Sequence, residues 1–347
     1  MRSGFPRVSN REAGRRTLVC ALFAFGFNGS VAFAAIPAAE RAVLDALYQN
    51  TGGAAWTHGS DPAQPDSWEG AAGTECSRYG VICDVQQRHV TSIVLHDNNL
   101  TGGPLPDLTP LGSLMSFYVY NNQITGPIPN LAGLTVFQTF FAYNNQLSGS
   151  IPPLSGVGLN GLHGFNVSNN LLTGPIPALN GVHLLQAFYA DGNHLTGTIP
   201  DLSGLGYLTN FDVSGNELTG EIPPLSGVGL TSLKYLWLDH NQLSGSIPVL
   251  DGLTALRQFF ANDNELSGSI PPLDALTALQ QFHAENNLLT GLPPTPPSPS
   301  VLVAGGSSLC PNRLDLVSSP GWNVPTGYTP WYYWCNELFL DGFDTPP

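Results

Sequence analysis

Apolar and polar positions between residues 91 and 292 follow one figure that recurs nine times. In Leu236-Trp237-Leu238-Asp239-His240-Asn241-Gln242-Leu243-Ser244-Gly245-Ser246-Ile247-Pro248 it reads apolar-x-apolar-x-x-Asn-x-Leu-Ser/Thr-Gly-x-Ile-Pro. The Asn stands at Asn98, Asn122, Asn145, Asn170, Asn193, Asn216, Asn241, Asn264 and Asn287, in steps of 24, 23, 25, 23, 23, 25, 23 and 23 residues. A fixed period of this size is the signature of a solenoid, whose coils cover one another's apolar faces. The alternation in Phe117-Tyr118-Val119-Tyr120 predicts a short strand with Phe117 and Val119 inward. Leu or Ile at 100, 124, 147, 172, 195, 218, 243, 266 and 289 adds a further inward position. Each such side chain contributes about 1.5–3 kcal/mol when buried. The Asn, at a buried corner, is expected to bond the backbone of neighbouring coils as a ladder. Gly after Ser/Thr permits a turn, and Pro after Ile ends strand pairing and opens the convex segment.

A longer period lies inside the short one. Ile-Pro-Pro-Leu-Ser-Gly-Val-Gly-Leu occurs at 151–159 and again, unchanged, at 222–230, a shift of 71 residues. The array therefore reads as duplicated three-coil blocks, with the same insertion on the convex side of both 25-residue coils.

The Leu-Ser/Thr-Gly-x-Ile-Pro run after each Asn resembles the leucine-rich-repeat family in its plant-type variant, across residues 91–292. That resemblance implies an α/β leucine-rich-repeat solenoid. Its parts would be a right-handed superhelix, a concave parallel β-sheet, a convex side of short 3-10 and irregular segments, and a helical N-terminal cap. Residues 37–49 supply the helix: Pro37 suits its first turn, Val43, Leu44, Leu47 and Tyr48 form its apolar face, and Gly52-Gly53 stops it. Cys76-Ser77-Arg78-Tyr79-Gly80-Val81-Ile82-Cys83 is similar to the family's cap motif Cys-x-Trp-x-Gly-Val-x-Cys. Arg78 departs from it, and Trp68 or Tyr79 is available as the missing aromatic. Leu302 to Cys310 resembles the family's degenerate last coil, after a Pro-rich stretch over 293–300. Residues 310–347 then read as a C-terminal cap, with Trp322, Trp331, Tyr332, Tyr333 and Trp334 as lid packing rather than a ligand box.

Residues 1–34 read as a signal peptide. Five arginines form a basic start, Leu18 to Phe27 are apolar, and Ala32-Phe33-Ala34 has the cleavage pattern. The apolar run falls short of the about 20 residues a bilayer span requires. The domains are then 1–34 signal, 35–90 N-terminal cap, 91–292 nine repeats, 293–309 Pro-rich segment with the last repeat, and 310–347 C-terminal cap with an acidic tail. That tail, Glu337 to Asp344, is similar to the endings of some exported bacterial proteins, which points to a bacterial source. Without residues 1–34, six basic and 24 acidic side chains remain and the net charge falls from −14 to −18. Such a chain is repelled by nucleic acid and by anionic lipid. Four cysteines remain in an exported chain, and their placement pairs Cys76 with Cys83 and Cys310 with Cys335.

Function is expected on the outward positions of the concave strands. One column reads Val94, Tyr118, Phe141, Asn166, Tyr189, Asp212, Trp237, Phe260 and His283. The next reads His96, Tyr120, Tyr143, Ser168, Asp191, Ser214, Asp239, Asn262 and Glu285. Across the 71-residue shift the inward residues keep their character while these change. Tyr118, Tyr120, Phe141 and Tyr143 form one aromatic cluster and Tyr189, Trp237 and Phe260 another. Exposed aromatics of this kind mark an interface or stack on each other along the ladder. Trp237, facing outward, is expected to be dispensable for folding. Catalysis is not expected. An open, solvated sheet offers no burial to Asp191, Asp212 or Asp239, and His283 has no nucleophile beside it. Neither a metal nor a cofactor is called for. The similar plant proteins include polygalacturonase inhibitors and receptor ectodomains. The resemblance thus implies a secreted, monomeric module without a membrane anchor that holds a protein or peptide. A glycan bound by the aromatic and Asp columns is the alternative.

Overall fold

The computed structural model describes residues 36–297, 301–315, 320–329, 331–332 and 335. The stretch expected to be a signal peptide (1–34), the acidic tail, Tyr333 and Trp334 lie outside the described residues. Helix Ala38–Asn50 opens the described chain, with Val43, Leu44 and Leu47 buried. Strand Val81–Cys83 then pairs antiparallel with Val90–Val94. From there one strand per coil adds to a single sheet: Ser116–Tyr118, Thr139–Phe141, Gly164–Asn166, Ala187–Tyr189, Asn210–Asp212, Tyr235–Trp237, Gln258–Phe260 and Gln281–His283. All of these pair parallel, with repeat-equivalent residues side by side, as in Phe140↔Phe165 and Phe165↔Phe188.

A second set of short parallel strands runs through the Leu-Ser/Thr-Gly segments, including Gln123–Gly126, Gln146–Gly149 and Leu171–Pro175. Its register differs from that of the first sheet. Thr125 faces Gln146 and Ser148 faces Leu171, so each coil is offset by two residues from its neighbour there. The 25-residue coils carry their insertions in matching conformations, with left-handed Gly156 and Gly158 in one and Gly227 and Gly229 in the other.

The core is a column of stacked rings. Phe117, Phe140, Phe165, Phe188 and Phe211 follow one another at centroid distances of 5.4–5.8 Å. Leu236 interrupts the column, Phe259 and Phe282 resume it at 5.1 Å, and the buried Trp322 covers its end at 6.2 Å. At the other end Trp56 and Trp68 pack edge to face beneath the helix. The Arg78 guanidinium lies 5.5 Å over the Trp68 ring and bonds Asp45 at 2.8 Å. Trp68, not Tyr79, is therefore the buried aromatic, and Arg78 closes over it. Gly80 is fixed by close approach: a Cβ there would sit 2.2 Å from the Val94 carbonyl oxygen, at φ +73°. Disulfides join Cys76 to Cys83 and Cys310 to Cys335, with Cα atoms 5.6 and 5.2 Å apart.

The Asn side chains bridge coils. Asn145 is typical: its Oδ1 accepts the Ile124 N–H at 2.9 Å, and its Nδ2 donates to Val119 O at 2.9 Å and to Ala142 O at 3.1 Å. Asn98, with no coil before it, bonds both the N–H and the carbonyl of His58 instead. The run extends one step past Asn287, because Asn312 accepts the Leu289 N–H and donates to Ala284 O. The residue before most of these Asn is left-handed: Asp97, Asn121, Asn144, Asn169, His240, Asp263 and Asn286, with Gly192 and Gly215 in the same place. Asn, Asp, His and Gly are the residue types that tolerate that conformation.

Candidate functional site

Coil stacking sets successive members of each outward column about 4.7–4.9 Å apart along the sheet, close enough for every side chain to meet its equivalents. At the N-terminal end the rings lie face to face. His96 stacks on Tyr120 at 4.4 Å and Tyr120 on Tyr143 at 4.5 Å, with interplanar angles of 2° and 6°. Beside them Tyr118 and Phe141 pack at 5.2 Å. Gly164 makes room for the Phe141 ring, whose nearest carbon would lie 3.1 Å from a Cβ at that position. The two columns thus form one aromatic floor over three coils, in which most ring faces cover each other and the edges meet solvent.

The middle of the face is polar. Asn166 accepts the Ser168 N–H at 3.0 Å, and the Ser168 hydroxyl donates to Asp191. Asp212 takes both the N–H and the hydroxyl of Ser214, at 3.0 and 2.7 Å. The expectation of solvated carboxylates fails here: Asp212 is 2% and Asp239 4% exposed. Long neighbours flank Asp212, as Tyr189 lies in the same column one coil before it and Trp237 one coil after. Both carboxylates are engaged by their own surroundings, Asp239 with the His240 ring at 3.0 Å. Among the described residues no group of three or more His, Cys, Asp or Glu could hold a metal ion.

At the C-terminal end Trp237 packs between Tyr235 and Phe260, at 5.5 and 6.3 Å, and donates Nε1–H to Gln258. At 8% exposure it is buried, so its truncation would remove packing as well as surface. That corrects the expectation that Trp237 is dispensable for folding. The strand Asn210–Asp212 separates Tyr189 from Trp237, so the second aromatic cluster is not continuous. Tyr235 joins it instead, from a column two residues earlier that the sequence reading passed over. His283 packs edge-on against Phe260 at 4.6 Å and reaches Glu285 and the Gly306 carbonyl. His240 sits between Asp239 and Asp263.

Burial also acts on the phenols. It is the main force pushing Tyr143 up to about 12, helped by Tyr120 and Asp97. Tyr189 is raised further by burial and by Asp212 and Asp191. A raised phenol favours the neutral form in the fold, so its stabilisation is complete below pH ~10 and is lost as pH rises through the folded value. Tyrosinate absorbance should therefore show a late-titrating group in the native protein that joins the early one on unfolding. Full ionisation of all tyrosines by pH ~10.5 without unfolding would contradict this.

Comparison with known proteins places these features. A family model for the Leucine Rich Repeat matches residues 207–227 and 232–251. No curated protein matches the chain. Among solved structures it resembles the LRR ectodomain of the Arabidopsis thaliana membrane receptor kinase GASSHO1/SCHENGEN3, in complex with CASPARIAN STRIP INTEGRITY FACTOR 2. Identity is 28% and the TM-score 0.65, over 79% of this chain and 36% of that one. It also resembles the plant peptide hormone receptor RGFR1 in complex with RGF2, at 30% identity and TM-score 0.53, over 61% of this chain and 38% of that one. The chain thus spans less than two fifths of the length of either receptor chain. A plant ice-binding protein, 22% identical with TM-score 0.51 over 76% and 90% of the two chains, shares the fold. With the Asn period, the parallel sheet of stacked coils and the Leu-Ser/Thr-Gly-x-Ile-Pro segments all in place, this chain is a leucine-rich-repeat protein of the plant type.

Proposed function

We propose that this protein is a secreted, monomeric recognition module that holds an extended peptide or protein segment on its concave face and performs no chemistry. The observation that carries the reading is the contrast between two sides of each strand. Inward residues stay apolar, mostly Phe followed by Val or Ala, while the outward columns vary from coil to coil and place aromatic, polar and acidic side chains in blocks. The GASSHO1/SCHENGEN3 ectodomain in complex with CASPARIAN STRIP INTEGRITY FACTOR 2 and the peptide hormone receptor RGFR1 in complex with RGF2 support the same use of the fold here. The two disulfides support an oxidising destination. No helix among the described residues is long and apolar enough to cross a membrane.

Glycan binding is the weaker reading. A sugar stacks on an open ring face, and in the His96–Tyr120–Tyr143 ladder the faces are turned to one another. Edges and hydroxyls suit backbone and side-chain contacts with a peptide. Panning a display library of random 12-residue peptides against the wild-type protein and against Tyr120→Ala/Tyr143→Ala, beside a neutral polysaccharide panel, tests this. We expect peptides that bind the wild type at least about tenfold more tightly than the variant, a difference of about 1.4 kcal/mol. Variant-sensitive retention on a polysaccharide, with no peptide enriched, would overturn the reading.

A further inference from the structure

Tyr120 and Tyr143 hold equivalent outward positions on adjacent coils, with ring centroids 4.5 Å apart and planes 6° from parallel. Both are half-buried, so part of the pair meets solvent. The two hydroxyls lie together: after burial, Tyr120 is the largest influence raising the Tyr143 phenol. Parallel planes with the oxygens together set the ring carbons ortho to one hydroxyl against those ortho to the other. The repeat does not demand this pair. The 71-residue shift carries Tyr120 to Asp191 and Tyr143 to Ser214, on coils whose strands pair in the same register. Elsewhere among the described residues, Tyr48 and Tyr235 pack on tryptophan, Tyr79 on His58 and Tyr118 on Phe141. In the column itself His96 precedes Tyr120 and Ser168 follows Tyr143, so no third phenol stands in it.

A phenol that loses one electron and its hydroxyl proton becomes a radical, with spin on oxygen and on the ring carbons ortho and para to it. The para carbon of tyrosine carries Cβ, which leaves oxygen and the ortho carbons free to couple. Radicals on separate molecules must meet by diffusion. Here the Asn121 N–H bonds the Tyr143 carbonyl at 3.0 Å, and the backbone holds the two rings already oriented for bond formation. We propose that Tyr120 and Tyr143 form an oxidative cross-linking site, closed to dityrosine by a one-electron oxidant of the class a haem peroxidase generates from hydrogen peroxide. Each phenol gives up one electron and one proton, and a carbon–carbon bond forms between two ortho carbons. The hydrogen on each bonded carbon then moves to its own ring oxygen, which restores both phenols. Hydrogen peroxide takes up the two electrons and two protons and leaves as two waters. The product lacks two hydrogen atoms and joins neighbouring coils covalently, constraining the unfolded chain as a disulfide does. The two disulfides suit the oxidising setting in which such oxidants act. This chemistry is independent of what the concave face binds.

The test treats dilute wild-type protein and the single variants Tyr120→Phe and Tyr143→Phe with a haem peroxidase and hydrogen peroxide, then separates monomer from oligomer. Phenylalanine keeps each ring in the stack and removes the hydroxyl that the oxidation needs. The wild-type monomer should gain the blue fluorescence of dityrosine and lose two hydrogen atoms by mass. Peptic digestion should then release one cross-linked peptide pair carrying Tyr120 and Tyr143. Monomers of both variants should gain no such fluorescence. Exposed phenols such as Tyr207 join different molecules, so fluorescence confined to oligomers would overturn the site. Fluorescence that survives in either variant's monomer, or a wild-type cross-link mapped to other tyrosines, would do the same. So would a wild-type monomer that stays dark.

Discussion

Replacing Phe165 with alanine is expected to lower the stability of the array by about 3–5 kcal/mol and to split its unfolding into two transitions. Phe165 is fully buried, with Phe140 on one side at 5.4 Å and Phe188 on the other at 5.7 Å. Its removal takes apolar area from the coil itself and a ring contact from each of its two neighbours. In a solenoid, stability is close to a sum of coil terms and nearest-neighbour terms, so a defect in the middle weakens the link between the halves. Tryptophans lie on both sides of the defect, Trp56 and Trp68 in the N-terminal cap and Trp237, Trp322 and Trp331 beyond it, so their fluorescence registers unfolding of either half with a weight different from that of the backbone signal. Urea unfolding watched by tryptophan fluorescence and by circular dichroism should coincide for the wild type and diverge for the variant. Coincident curves with a loss under ~1 kcal/mol, far below the usual range for such truncations, would mean that the ring column is not what couples the coils.

The parts of this fold that were legible in the sequence are those each coil decides for itself. Inward Phe and Leu recur because every coil must cover the next, and the Asn recurs because every corner has the same backbone groups to satisfy. The second sheet was not legible. The Leu-Ser/Thr-Gly segment reads as a turn in one coil, and it pairs only because the neighbouring coil lies beside it, offset by two residues. Asn312 carried a usable signal, since Leu309-x-x-Asn312-x-Leu314 keeps the coil's spacing. The Pro-rich stretch ahead of it and Cys310-Pro311 within it hid the match.

On the concave face the structure departs from the sequence expectation in which side chains meet water, since Asp212, Trp237 and Asp239 are buried. Outward direction follows from period two, but exposure depends on what the adjacent coils place over a side chain. Asp212 is covered because its column has Tyr189 before it and Trp237 after it. Met115, Lys234 and Arg257 share a column before the strand proper, where alternation gives no warning of a surface. The residue before each ladder Asn is an unspecified position in the repeat figure, yet it is left-handed. In the structure that conformation restricts the position to Asn, Asp, His or Gly, which explains its polarity without any reference to a ligand.

Asn241→Ala and Asn241→Asp should separate the two jobs of the ladder amide. Asn241 Oδ1 accepts the Leu218 N–H at 3.0 Å, and its Nδ2 donates to the carbonyls of Val213, Leu238 and Asp239 at 3.0, 3.1 and 3.3 Å. Alanine leaves the buried Leu218 N–H and these carbonyls without a side-chain partner, a loss of roughly 1–3 kcal/mol per orphaned group at most. At about 2–4 °C per kcal/mol, Tm should fall by several degrees. Aspartate keeps the shape and the acceptor but turns a second oxygen toward three carbonyl oxygens. Burial and those carbonyls would favour its protonated form, so its folded pKa lies above the unfolded ~3.9. A raised acid contributes stability that is present below the unfolded value and lost as pH rises through the folded one. The Asn241→Asp protein should therefore melt well below Asn241→Ala at pH 7 and close the gap toward pH 4, while the difference between Asn241→Ala and wild type changes little. If Asn241→Asp melts with the wild type at pH 7, the donor side of the amide is not what ties the coils together, and the ladder is reduced to its acceptor.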